Sequence, residues 1–269
     1  MLEFLQRWLP TNGSAHGPQL DDMTALVHWL MAILFIGWGL YFIIVLVKFR
    51  AGKNPVASYE GSKSHISTYG EGLIILIEAI LLVGFGIPAW ANWVAPHDET
   101  DDPVIVRVIG EQFAWNIHYP GADGVFGRTD PNLIDAVSNP LGLDSSDAAA
   151  ADDITTINQL HLPVNQPVTL RLGTKDVIHG FSLPTMRVKQ DAIPGMMIPV
   201  HFTPVMTNDG ERWEIGCAQL CGLGHYRMRG FFTVHPEGEF EAWLAENAPK
   251  APEPVEPVEE PAAETTEEA

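Results

Sequence analysis

The sequence predicts a helical hairpin that crosses a membrane, followed by an all-β domain outside it, and three observations carry that prediction. Two predominantly apolar runs, each over twenty residues long, occupy the first third of the chain. Beyond residue 96 the texture turns to short runs that alternate apolar and polar residues, punctuated by Gly, Pro and Asn. The charge changes at the same place. Residues 1–95 carry five Lys/Arg against six Asp/Glu, and residues 96–269 carry ten against twenty-eight, within a total of −19. An acidic surface of that size repels nucleic-acid phosphates and favours a basic partner or a salt-rich medium.

The elements follow in chain order. Residues 1–24 form an N-terminal arm whose "MLEFLQRWLP" is too short, before Pro10, for the apolar region of a signal peptide. Ala25 to Val47 is a 23-residue apolar run, which at ~1.5 Å per residue spans the ~30 Å hydrocarbon core of a bilayer. Gly72 to Ala95 is the second, with Trp90 and Trp93 near its far end, where indole rings favour the interface. The hairpin thus covers 25–95. Its connecting loop holds Lys48, Arg50, Lys53 and Lys63 against Glu60, whereas the arm has Arg7 against Glu3, Asp21 and Asp22. The positive-inside rule places the loop in the cytoplasm. Both termini and the acidic domain then lie on the periplasmic or outer side of a bacterial inner membrane.

The domain, residues 96–237, contains β-type runs at 104–110, 167–173, 196–204, 211–217 and 230–236, which predict an antiparallel sandwich or barrel. Residues 121–153, rich in Gly, Asp, Ser and Ala, read as a surface insertion rather than a strand pair. A short helix with Phe240, Trp243 and Leu244 on one face follows within 238–250. The tail, 251–269, has seven Glu and repeated Pro with no Lys or Arg, a composition that cannot offset the entropy of ordering and predicts disorder. The chain has no C-x-x-C-H motif for covalent haem.

Chemistry concentrates in "GCAQLCGLGHYRMRG", which holds Cys217 and Cys221, the two cysteines of the chain, with His225 and Met228. A disulfide suits an oxidising compartment, but an extended strand would hold the two Cα atoms more than ~10 Å apart, and a bridge needs ~7 Å or less. Zinc accepts Cys and His but has no use for a thioether, whereas copper does. A mononuclear blue-copper site would use Cys221, His225 and Met228 and leave Cys217 as an exposed oxidation liability. Two thiolates bridging two coppers would use every soft ligand. Either copper site needs a second histidine, and His179 in "KDVIHGFSLP" offers one, although a lone His on an apolar strand is more often a core residue.

Two apolar helices followed by "DVIHGFSLP", "KQDAIPG" and "CAQLCGLGHYRM" resemble subunit II of the haem-copper cytochrome c oxidases, whose pattern is C-x-E-x-C-x-x-x-H-x-x-M downstream of D-V-x-H. The resemblance runs from the first helix to about Pro236. It implies a cupredoxin-like Greek-key domain held over a catalytic subunit I by the hairpin, carrying the dinuclear copper A centre. It also implies that Cys217 and Cys221 bridge, that His179 and Met228 complete one copper, and that His225 and the Gln219 carbonyl complete the other. Electrons would come from cytochrome c and pass to subunit I, which reduces oxygen while protons move.

Departures from the pattern matter. Gln219 stands where the family usually has Glu, which weakens an expected magnesium at the subunit I interface. "QFAW" puts Phe113 where the family has the tryptophan thought to receive the electron, leaving Phe113 and Trp115 as alternatives, with Trp115 suited to the core. Glu71 matches an acidic residue near the mouth of a proton path, and the deeper Glu78, where a charge costs ~3 kcal/mol unless neutral or paired, suits a contact with subunit I. A membrane-anchored one-copper cupredoxin and a copper-free quinol-oxidase subunit II are the alternative functions; the intact ligand set disfavours the second.

Overall fold

The computed structural model describes residues 7–57, 59–61, 63–95 and 102–249. The acidic tail at 251–269 lies outside the described residues. Helix α1, Gly17–Lys48, starts with Pro18 in its first turn, where a missing N–H costs nothing, and reaches eight residues further upstream than the apolar run. The second helix is built in three pieces: α2, Ile66–Leu81, a π-turn at Leu82–Gly86, and α3, Ile87–Val94. The π-turn has a local cause in Pro88, which has no N–H and whose ring would collide with the carbonyl four residues back in a regular helix. Both helices are long and apolar enough to cross a membrane, and their most apolar windows are 0% and 6% buried, so their apolar surface is not spent on a protein core.

The extra turns of α1 are polar because they dock on the domain. Asp21 receives two bonds from Arg187, at 2.7 and 2.9 Å, and Arg187 also donates to the Pro10 and Pro184 carbonyls. Ser14 adds an isolated antiparallel bridge to Pro204 and donates its hydroxyl to the Met186 carbonyl.

The domain is two five-stranded sheets. One has the order β3 (Ile154–Ile157), β2 (Ala114–Tyr119), β1 (Val104–Glu111), β5 (Val168–Thr174), β8 (Ile198–Phe202). The other has β4 (Gln159–Pro163), β10 (Arg229–His235), β9 (Trp213–Cys217), β6 (His179–Leu183), β7 (Val188–Ala192). Val106, Val108, Leu170 and Leu172 from one sheet and Phe181, Leu183, Ile215 and Phe232 from the other fill the core between them. Helix α4, Glu239–Asn247, closes one end with Phe240 in the core.

The expected antiparallel sandwich or barrel is met by two packed sheets, with one correction: β1 runs parallel to β5, and β4 parallel to β10. Alternation within a strand fixes which face is buried but carries no information on the direction of a neighbour distant in sequence. Five strands, β2, β3, β4, β6 and β7, also lie outside the alternating runs. In "AWNIHY" of β2 and "HGFSL" of β6 both faces are buried, so no polar face marks them, while β3 and β4 are divided only by Asn158 in the left-handed region. The segment 121–153 contains two short 3-10 turns and two isolated bridges, held by Asp side chains that accept backbone N–H groups.

Candidate metal centre

β9 ends at Cys217, and the loop to β10 carries Gln219, Cys221, His225 and Met228. Pairing, not sequence proximity, brings in the second histidine: β6 lies beside β9 with Phe181 opposite Cys217, so His179 at the start of β6 reaches the same end. Gly180 permits that approach, because an added Cβ would stand 2.8 Å from the Ala218 carbonyl carbon. The loop doubles back through Gly222, whose φ of +131° suits a residue without a side chain.

The result is one cluster of soft donors. Cys217 Sγ and Cys221 Sγ are 3.8 Å apart, nearly twice the ~2.05 Å of a disulfide, and both thiols are free. His179 Nδ1 lies 4.0 Å from Cys217 Sγ, and His225 Nδ1 lies 3.6 Å from Cys221 Sγ. Met228 Sδ is 3.7 Å from Cys221 Sγ, and the Gln219 carbonyl oxygen accepts the Cys217 thiol at 3.2 Å. All six residues expected from the sequence are therefore brought together. The ligand atoms of His179, Cys217 and Cys221 lie within 4.8 Å of one another, a group that could hold a metal ion. His179, Cys221 and Met228 are buried, which limits water, while His225 is half-buried.

The surroundings orient these donors. The Asp176 carboxylate accepts His179 Nε2–H at 2.8 Å, so the Nδ1 lone pair is left facing the thiols. Burial pushes the Asp176 carboxyl up, but bonds from His179 and from the Gln112 and Val177 N–H groups outweigh it and hold the carboxyl below its ordinary value. Burial, and then the neighbouring Cys217, push the Cys221 thiol up to about 11, so a metal entering here displaces a proton. Gln112 donates to the Cys221 carbonyl at 2.5 Å, and the Phe113 ring packs so closely that a Cβ on Gly224 would meet it at 2.4 Å. Trp115 is wholly enclosed, edge-on to His179 and Phe181, and presents no ring surface to a docking protein.

Asp176 and Gln112 are the residues that reading the sequence passed over. A carboxylate three positions before a ligand histidine in "DVIH" is a legible signal, whereas Gln112 arrives from the β1–β2 hairpin and leaves none. Glu71 and Glu78 stand on α2, both exposed, and the Gln219 side chain is exposed as well.

Residues 104–232 match the family model described as cytochrome c oxidase subunit II, periplasmic domain. The chain is 30% identical over 240 residues to the alternative cytochrome c oxidase subunit 2 of Bradyrhizobium diazoefficiens, covering 88% of this chain and 83% of that one. It is 26% identical over 262 residues to cytochrome c oxidase subunit 2 of Cereibacter sphaeroides, covering 90% and 82%. Among solved structures, the periplasmic domain of subunit II of cytochrome oxidase of Bradyrhizobium japonicum is similar at 26% identity, with 57% of this chain and 96% of that one covered and a TM-score of 0.39.

Proposed function

The chain belongs to the cytochrome c oxidase subunit II family, and on that premise we propose that the centre at Cys217 and Cys221 holds two coppers, accepts electrons from a cytochrome c and passes them to a haem-copper subunit I. The observation that carries this reading is the pair of unbonded thiols 3.8 Å apart, with a histidine beside each and a thioether within 3.7 Å. Soft thiolate and thioether donors with imidazoles suit copper, and a single copper would leave one thiol idle. When bound, the copper pair supplies a one-electron site whose charge is shared by two ions.

The chain's own residues do the rest. Cys217 and Cys221 would give up their protons and hold both ions, with His179 and Met228 as further donors to one and His225 and the Gln219 carbonyl to the other. Asp176 holds the His179 ring in one tautomer, and the enclosed walls limit the rearrangement that accompanies each electron transfer. The loop surface around His225 presents Leu220, Leu223 and Tyr226, which are 76%, 98% and 86% exposed. A donor docking there reaches the centre over Phe113, beneath the loop, and not over the enclosed Trp115. A magnesium ion at the subunit I interface has weak support, since Gln219 brings a neutral amide in place of a carboxylate. Glu71 marks the mouth of a proton path, and Glu78 a contact with subunit I. The hairpin spans a bacterial inner membrane twice, with both termini and the β domain on the periplasmic side.

The domain's excess of acidic residues gives the docking step a test. Reduction of the copper-loaded chain by a basic cytochrome c should slow steeply as ionic strength rises. A rate indifferent to salt contradicts electrostatic docking of such a donor.

A further inference from the structure

Arg107 of β1 and Arg171 of β5 stand directly opposite each other in parallel register, and His118 of β2 stands opposite Arg107 on its other side. All three belong to the wall of a cavity of about 500 Å³ that the insertion closes with Thr129, Ile134 and Leu141. Two like charges on paired positions repel, and a protein of net charge −19 has carboxylates to spare. Among the described residues, however, neither arginine is ion-paired to one.

The nearby carboxylates make no ion pair with either arginine. Glu111 pairs with Lys175 and accepts from Asn116. Asp153 accepts through Oδ2 from His118 at 2.7 Å and from the Gly127 N–H at 2.8 Å; its Oδ1 is buried without a hydrogen-bond partner, its charge reaches Arg107 without an ion pair, and it is not part of the cavity wall. The Phe126 ring, 4.0 Å from the Arg107 guanidinium and 5.8 Å from that of Arg171, positions both without neutralising either. Two positive charges are left facing one cavity. Burial, and then Arg171, outweigh the opposing charge of Asp153 and hold the Arg107 guanidinium below its ordinary value, an effect that an anion between the two would oppose further.

His118 supplies an independent mark of a ligand. Its side chain is 1% exposed, its Nε2 is held by Asp153, and its Nδ1 is buried with no hydrogen-bond partner. Burial, outweighing the contact with Asp153, lowers the pKa of the ring and so favours its neutral form. Nε2–H then donates to the carboxylate, and Nδ1 is an acceptor in need of a donor.

We propose that this cavity binds a phosphate-class oxyanion, whose ionised oxygens take the Arg107 and Arg171 guanidiniums and whose remaining hydroxyl donates to His118 Nδ1. Monohydrogen phosphate and a singly protonated phosphomonoester have both kinds of group; sulfate has no hydroxyl to give.

Calorimetric titration of the full copper-loaded chain in detergent, at fixed ionic strength, tests it with inorganic phosphate, glycerol phosphate and sulfate. One saturable phosphate site per chain is expected, weakened roughly tenfold or more in Arg107→Gln and in Arg171→Gln, with sulfate weaker than phosphate. Arg171 is exposed, so Arg171→Gln should leave the fold and the copper spectrum unchanged and keeps the test informative if Arg107→Gln unfolds. Glycerol phosphate binding more tightly than inorganic phosphate assigns the site to a phosphomonoester, and the reverse assigns it to free phosphate. No saturable site, or an affinity that Arg171→Gln does not change, overturns the proposal; sulfate binding as tightly as phosphate overturns the role of His118.

Discussion

Asp176 lies outside the proposed copper ligands, yet it decides how one of them, His179, is presented. Its bond to His179 Nε2 fixes the tautomer in which Nδ1 is free, and such outer carboxylates typically contribute 10–100-fold in metal affinity. Asp176→Asn should therefore weaken copper binding by about that factor in competition with a chelator, because an amide can donate to Nε2 and favour the wrong tautomer. Unchanged affinity would show that the ring is held by the walls alone. At this scale most of the site was legible: the spacing of Cys217, Cys221, His225 and Met228 is a local property of one loop. The pairing of β6 with β9 that delivers His179 is not local, and the residue is reached from the loop's need for a second histidine and from its resemblance to a D-V-x-H segment. Gln112 had no such signal, since its contact with the Cys221 carbonyl depends on how a distant hairpin packs.

Among the elements, those that alternate were legible and those enclosed on both faces were not. The apolar runs announced the helices, but the polar turns at the start of α1 acquire their reason only from Arg187. Arg187→Ala should cost roughly 3 kcal/mol in thermal unfolding, because it leaves the Asp21 carboxylate buried without its partner; a loss under about 1 kcal/mol would mean that the joint is solvated. Helix α4 is tied to the domain by a stack in which Trp243 lies 4.0 Å from His161, itself 2.8 Å from His235. Burial, and then His235, push His161 down to about 4, and burial lowers His235 as well. Above about pH 6.5 the folded and unfolded rings are both neutral; below it the unfolded chain takes protons that the fold refuses, so stability falls as pH drops towards 4. His161→Phe keeps a ring under Trp243 without a titrating nitrogen, and melting temperatures at pH 7 and pH 5 should differ less in it than in the parent.

For the whole molecule, the charge division and the change of texture at residue 96 separate anchor from domain in the sequence alone. Strand direction and sheet order, which depend on contacts distant in sequence, stayed hidden. What the fold adds is convergence: β6, β9, the loop after it and the β1–β2 hairpin meet at one end of the sandwich, while the helical hairpin docks on the domain through Asp21. The central claim is that this convergence holds two coppers sharing one electron. Electron paramagnetic resonance of the copper-loaded chain, with its copper content measured, tests that most directly. The account predicts two coppers per chain and a spectrum of one unpaired electron spread over two copper nuclei, lost in Cys217→Ser. One copper per chain with an ordinary mononuclear spectrum that survives Cys217→Ser would contradict it.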